Sequence, residues 1–156
     1  MERINEIRPI GRVFSAFRNH EEAKIANEEN LQREMESEIV IRNELVPALE
    51  GLEEFSHVWI IYGLENTMKT ELKTRPDPPE TRDLPRIGVF ASRSKYRPNH
   101  LVLRLVELVG INNNRLVVRG LDAVNNSPIL DIQPYIPCFD RPENPRVADW
   151  YDRWMR

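Results

Sequence analysis

Six short segments in which apolar, often β-branched side chains cluster or alternate with polar ones recur along the chain: Glu38–Arg42 (EIVIR), His57–Tyr62 (HVWIIY), Arg86–Ala91 (RIGVFA), Leu101–Val109 (LVLRLVELV), Leu116–Leu121 (LVVRGL) and Ile129–Gln133 (ILDIQ). A period of two puts the apolar side chains on one face of an extended strand, and runs this short suit strands better than helices. The pattern predicts a mainly β protein with antiparallel pairing. Between two of the runs lies Ile111–Arg115 (INNNR). Asparagine tolerates the positive φ of tight turns, so Leu101–Leu121 reads as a hairpin. Helical signals are fewer: a capped turn or short helix over Asn43–Gly51, and a helix over 146–155 carrying Val147, Trp150, Tyr151 and Trp154 at three-and-four spacing. Asn66–Pro85 holds Pro76, Pro78, Pro79 and Pro85 and reads as a long surface loop, and the glutamate-rich Glu21–Glu38 as a solvated edge.

With 156 residues, 40% of them hydrophobic, the chain suffices for one core and is short for two, which predicts a single domain over 1–156. No secretory pattern opens it and no stretch of eighteen apolar residues interrupts it, so a cytoplasmic protein without a membrane span is expected. The lone Cys138 forms no internal disulfide and is expected to be inert. The net charge of −3 is unevenly spread: Glu21–Glu54 carries eleven acidic residues against three basic, whereas Arg82–Arg104 carries six basic residues and one acid, Asp83. The second stretch suits phosphate, because cations that neutralise phosphates release counterions and so supply affinity independent of sequence.

Two segments are chemically dense. Gly88–Asn99 (GVFASRSKYRPN) leaves a strand and passes three cations and two hydroxyls before Pro98, which suits capture of an anion or carboxylate by arginine. Arg119–Asp140 places Asp122, Asp131 and Asp140 at strand edges around an Asn-Asn-Ser-Pro turn. Such aspartates bind ribose hydroxyls or act as bases, but more often cap their own backbone. There is no glycine-rich phosphate loop, zinc-type Cys/His spacing or nucleophile elbow, so no metal is expected.

Four blocks occur in a distinctive order: Pro9–Val13, Leu49–His57, Gly88–Asn99 and Gly120–Pro137, the third containing ArgSer-x-x-ArgProAsn and the last AspIle-x-ProTyrIlePro. In these the chain resembles the TsaA-like domain of the tRNA threonylcarbamoyladenosine methyltransferases, with similarity across 4–140. The resemblance implies a small β-barrel with short flanking helices, unlike Rossmann-type methyltransferases, a homodimer, and an S-adenosylmethionine site near the subunit interface. It places Ser56, His57, Arg93, Leu103, Ala123, Val124, Asn125 and Asn126 at the cofactor, with Arg97 and Asn99 shaping a loop of the site. After ArgProAsn the chain departs from the family's usual Pro-Ile-Gly-Leu-Ser with His100-Leu101-Val102-Leu103-Arg104.

The activity so implied is displacement of the sulfonium methyl by a weakly nucleophilic nitrogen, for which a base is useful. Asp131 is the first candidate, with His57 and Asp122 beside it. Arg86, Lys95, Arg97 and Asn99 are the candidate contacts to tRNA. Alternatives are a sensor that binds S-adenosylmethionine without transferring methyl, a methyltransferase for another acceptor, and a cofactor-free RNA-binding barrel.

Overall fold

A computed structural model describes residues 6–64, 69–74 and 85–154, without the side chains of 152–154. In chain order its strands are β1 (Gly11–Phe14), β2 (Glu36–Ile41), β3 (His57–Gly63), β4 (Lys73–Thr74), β5 (Ile87–Gly88), β6 (Leu101–Asn112), β7 (Arg115–Arg119) and β8 (Pro128–Pro134). Its α-helices are α1 (His20–Glu28), α2 (Pro137–Asp140) and α3 (Asp149–Trp154). The described residues up to Leu64, together with Val102–Tyr135, make one compact unit, and those of Glu65–Leu101 and Ile136–Arg156 a second.

The first unit is a closed barrel of neighbouring strands β1-β2-β7-β6-β3-β8, so the mainly β, barrel-forming expectation holds. Its interior follows from the period-two pattern. Ile39 and Ile41 of β2, Val58, Ile60 and Tyr62 of β3, Leu116 and Val118 of β7 and Ile129 of β8 are each at most 2% exposed, while their strand neighbours face outward. Register is set where chemistry allows only one choice. Asn112 pairs with Arg115, leaving Asn113-Asn114 as a two-residue hairpin loop with Asn113 at φ 55°, which is the hairpin expected from INNNR. At Gly11 a Cβ would run into the Val40 carbonyl oxygen of the paired strand, so only glycine lets β1 approach β2.

Several elements differ from expectation. The glutamate-rich edge contains α1: the Asn19 side chain accepts from the Glu22 amide at 3.0 Å, Glu21 and Glu22 stabilise the helix N-terminus, and only Ala23 and Ala26 are buried, against Phe17. So narrow an apolar stripe is hard to see in a sequence. The short helix over Asn43–Gly51 is present as a 3-10 helix over Asn43–Leu49, whereas the C-terminal helix begins at Asp149 and not at 146. Arg86–Ala91 supplies only β5 before the chain tightens into a 3-10 turn over Val89–Ala91. The loop over Asn66–Pro85 lies largely outside the described residues; within it β4 pairs with β5.

Candidate functional site

The turn between β7 and β8 is fixed from behind. Gly120, at φ 94°, lets the chain leave β7. The 12–17 segment then holds the turn. The Ser15 hydroxyl donates to the Ala123 carbonyl at 2.7 Å, the Ser15 amide donates to Asn125 Oδ1 at 3.1 Å, and Arg12 donates to the Asn126 carbonyl at 3.0 Å. The amides of Asn125 and Asn126 donate in return to the carbonyls of Phe17 and Val13, each at 2.8 Å. Asn126 sits at φ 69°, a conformation asparagine tolerates. The result is a rigid backbone presenting the exposed side chains of Asn125 and Asn126, with Val124 half-buried and Ala123 buried.

Directly before this turn Asp122 is only 4% exposed. Its carboxylate accepts from the Tyr62 hydroxyl at 2.9 Å and from Asn27 Nδ2 at 2.9 Å. Arg104 reaches the same cluster, donating to the Gly120 carbonyl at 3.2 Å and to Asn27 Oδ1 at 3.3 Å. Burial, with the Asp122 charge and hydrogen bond next, pushes the Tyr62 hydroxyl far above the ordinary tyrosine range. Asp122 is therefore not accessible to a substrate. It ties the barrel interior, α1 and the turn into one buried network. The other two aspartates behave as caps. Asp131 accepts from the Ile132 amide and from Gln133 Nε2, each at 2.9 Å, and Asp140 accepts from the Ile136 amide at 2.8 Å.

Strand directions settle which of the expected residues lie together in the first unit. Antiparallel pairing all round the barrel puts the start of β6 and of β8, the end of β7 and the end of β3 at one end. Leu103, 41% exposed, and the 123–126 turn belong to that end. Ser56 and His57, whose side chains share a 2.9 Å hydrogen bond, open β3 at the opposite end, where the Ser56 carbonyl accepts from the Leu108 amide. Along β6, Leu103 lies five residues from Leu108, and along β3, Tyr62, the partner of Ile129, lies five residues from His57, roughly 16 Å in each case at about 3.3 Å per residue. Asp131 pairs with Ile61 on the outer face and lies four strand positions, roughly 13 Å, from His57. The two candidate bases do not converge within one chain.

Arg86, Arg93, Lys95, Arg97 and Asn99 belong to the second unit. There the Arg97 guanidinium donates through Nη1 to the carbonyls of Ser92 (2.8 Å) and Val89 (3.1 Å), folding Val89–Arg97 into a closed loop. His100, at φ 51°, closes the next turn through its amide to the Arg97 carbonyl at 3.0 Å. Among the described residues no cluster of three or more histidine, cysteine or acidic side chains could hold a metal ion, and no helix is long and apolar enough to cross a membrane.

The model of the tRNA-methyltransferase O N-terminal domain matches residues 13–141, a span that contains the barrel from Val13 of β1 through β8, together with the 123–126 turn and the Arg97 loop. The chain belongs to this family. A probable S-adenosyl-L-methionine-binding protein of Pyrococcus abyssi is 33% identical over 94% of this chain and 76% of its own length. An S-adenosyl-L-methionine-binding protein of Archaeoglobus fulgidus is 35% identical over 86% of this chain and 91% of its own. The mouse tRNA (adenine(37)-N6)-methyltransferase is 38% identical over 62% of this chain, which spans only 22% of that enzyme. A crystal structure of TrmO superposes with a TM-score of 0.74 at 31% identity, covering 94% of this chain and 64% of that one. The closed barrel is thus the family's fold, and some relatives carry substantial sequence beyond it.

The residues of the buried network escaped sequence reading apart from Asp122. Asn27, Tyr62, Arg104 and Asp122 are scattered over 95 positions, and no local pattern announces their meeting.

Proposed function

We propose that the protein is an S-adenosylmethionine-dependent methyltransferase acting on tRNA, with threonylcarbamoyladenosine next to the anticodon as acceptor. The observation that carries the reading is the 123–126 turn: exposed asparagine amides on a backbone locked by residues 12–17, at the same barrel end as the exposed apolar Leu103. Polar donors on a rigid turn and an apolar surface suit a nucleoside, which offers ribose hydroxyls and a flat base, so these residues fit the cofactor that the relatives' names specify.

When bound, the cofactor supplies a methyl group on a sulfonium. The chain's residues then have three tasks. Asn125 and Asn126 orient the nucleoside end, and Arg93 pairs with a carboxylate. Asp131 or His57 holds the proton leaving the acceptor nitrogen. Arg86 and Lys95 hold phosphates of the anticodon stem. The larger side chain at 104 does not obstruct the first task, since it is turned toward Gly120 and Asn27.

Ser56 and His57 lie at the far barrel end, so their participation is supplied by a second copy in a homodimer. Mixing Asn125→Ala and His57→Ala proteins, each inactive alone, should restore about a quarter of wild-type turnover, because half of randomly paired dimers keep one intact site of two. A mixture as inactive as its parents would refute the shared site. The primary test is titration of the purified protein with S-adenosylmethionine, followed by transfer of labelled methyl to tRNA carrying or lacking threonylcarbamoyl. Binding with transfer to the modified tRNA alone is expected. Binding without transfer to any acceptor would make the protein a sensor, and absence of binding would refute the cofactor assignment.

A further inference from the structure

Within the second unit one side chain sits against ordinary burial preference. Phe90 is 78% exposed although its neighbour Val89 is 2% exposed. The ring is not there through slack in the chain. Val89 anchors one side of the 3-10 turn, its amide donating to the Leu72 carbonyl at 3.0 Å, and Arg97 clamps the Val89 and Ser92 carbonyls. The same guanidinium lies over Phe90, 5.9 Å from the ring centroid. A large apolar ring is therefore held outward on a braced turn with a cation on it, so little conformational freedom remains to be lost on binding.

Charge selects the occupant. Residues 86–97 contain Arg86, Arg93, Lys95 and Arg97 and no acid. The phosphates flanking a base of RNA are attracted to so basic a stretch. An exposed ring among cations is the combination that binds unpaired nucleotides, because every base has a flat face to stack while the backbone meets the charges.

We propose that Phe90 is a stacking platform for an unpaired base of the tRNA. The inference rests on the tRNA reading above and adds a recognition residue to it. The test uses full-length protein, tRNA and a short single-stranded RNA containing 2-aminopurine, whose fluorescence is quenched on stacking. Wild type should quench the probe. Phe90→Leu should bind tRNA roughly tenfold more weakly, within the range measured for base–aromatic stacking, with an unchanged salt slope because no charge is lost. Phe90→Trp should restore both binding and quenching, and S-adenosylmethionine affinity should be the same in all three.

Unchanged tRNA affinity in Phe90→Leu would overturn the stacking role while leaving the tRNA reading intact. Weakened S-adenosylmethionine binding would assign the ring to the cofactor's adenine instead, and a shift from dimer to monomer in light scattering would assign it to a subunit contact. Wild-type protein that binds S-adenosylmethionine but no tRNA at any salt concentration would remove the tRNA reading and this inference together.

Discussion

Replacing Tyr62 by phenylalanine should change how stability depends on alkaline pH, by an amount that follows from the buried network. The Tyr62 hydroxyl donates to the Asp122 carboxylate and is buried, and its ionisation is pushed far above the ordinary range. In the unfolded chain it ionises near pH 10. A group whose folded pKa is raised stabilises the fold below the unfolded pKa, and that contribution declines once pH exceeds it, because the unfolded state then sheds a proton the folded state keeps. The decline is about 0.4 kcal/mol at pH 10 and about 1.4 kcal/mol at pH 11, after which it continues at about 1.4 kcal/mol per pH unit. Tyr62→Phe lacks this term. At neutral pH the variant should be less stable by about 1.5–3 kcal/mol, the worth of a hydrogen bond to a charged group. The gap should then narrow by about 1.4 kcal/mol between pH 8 and pH 11, or roughly 3–5 °C in melting temperature for a chain of this size. Urea titrations of both proteins at each pH measure the gap directly. Parallel curves up to pH 11 would show that Tyr62 ionises in the folded state as freely as in water, and the network as described would be wrong.

Asp122→Ala should cost more than Tyr62→Phe, about 3–5 kcal/mol, because it leaves both the Tyr62 hydroxyl and the Asn27 amide without their buried acceptor; hydrogen exchange should show α1 losing protection first, and a loss spread evenly over the barrel would argue against a tie between α1 and the turn. Gly11→Ala should destabilise by about 3 kcal/mol or more, since the paired Val40 backbone cannot yield as a side chain can; a melting temperature equal to wild type would refute that contact. With Asp131 as base, Asp131→Asn should keep S-adenosylmethionine affinity and lose about 100-fold or more in turnover; turnover within twofold of wild type would move the role to His57.

What could be read from the residues alone divides along physical lines. Strands whose inner faces must be apolar are visible one residue at a time, which is why β2, β3, β7 and β8 fall where EIVIR, HVWIIY, LVVRGL and ILDIQ stand. The turn at Asn113 is legible because its backbone demand is local. Legibility fails where structure depends on partners distant in sequence. β1 is four residues long and defined by its neighbours, and α1 buries only two alanines. Arg97 looks like a surface cation until its guanidinium is seen gathering two carbonyls of its own loop. The family blocks assign the 123–126 turn to the cofactor together with Ser56 and His57, but only the strand directions reveal that Ser56 and His57 stand at the other end of the barrel.

Closure of the barrel also restricts how copies of this protein associate. A sheet that ends offers a row of vacant amides and carbonyls onto which another chain can graft a strand. Here β1 is bonded to β2 on one side and to β8 on the other, so the ring has no first or last member. Two copies cannot join by sharing this sheet. Any pairing that uses the barrel must be written in side chains, where one substitution can create or abolish it, while the main-chain framework carries on unaltered.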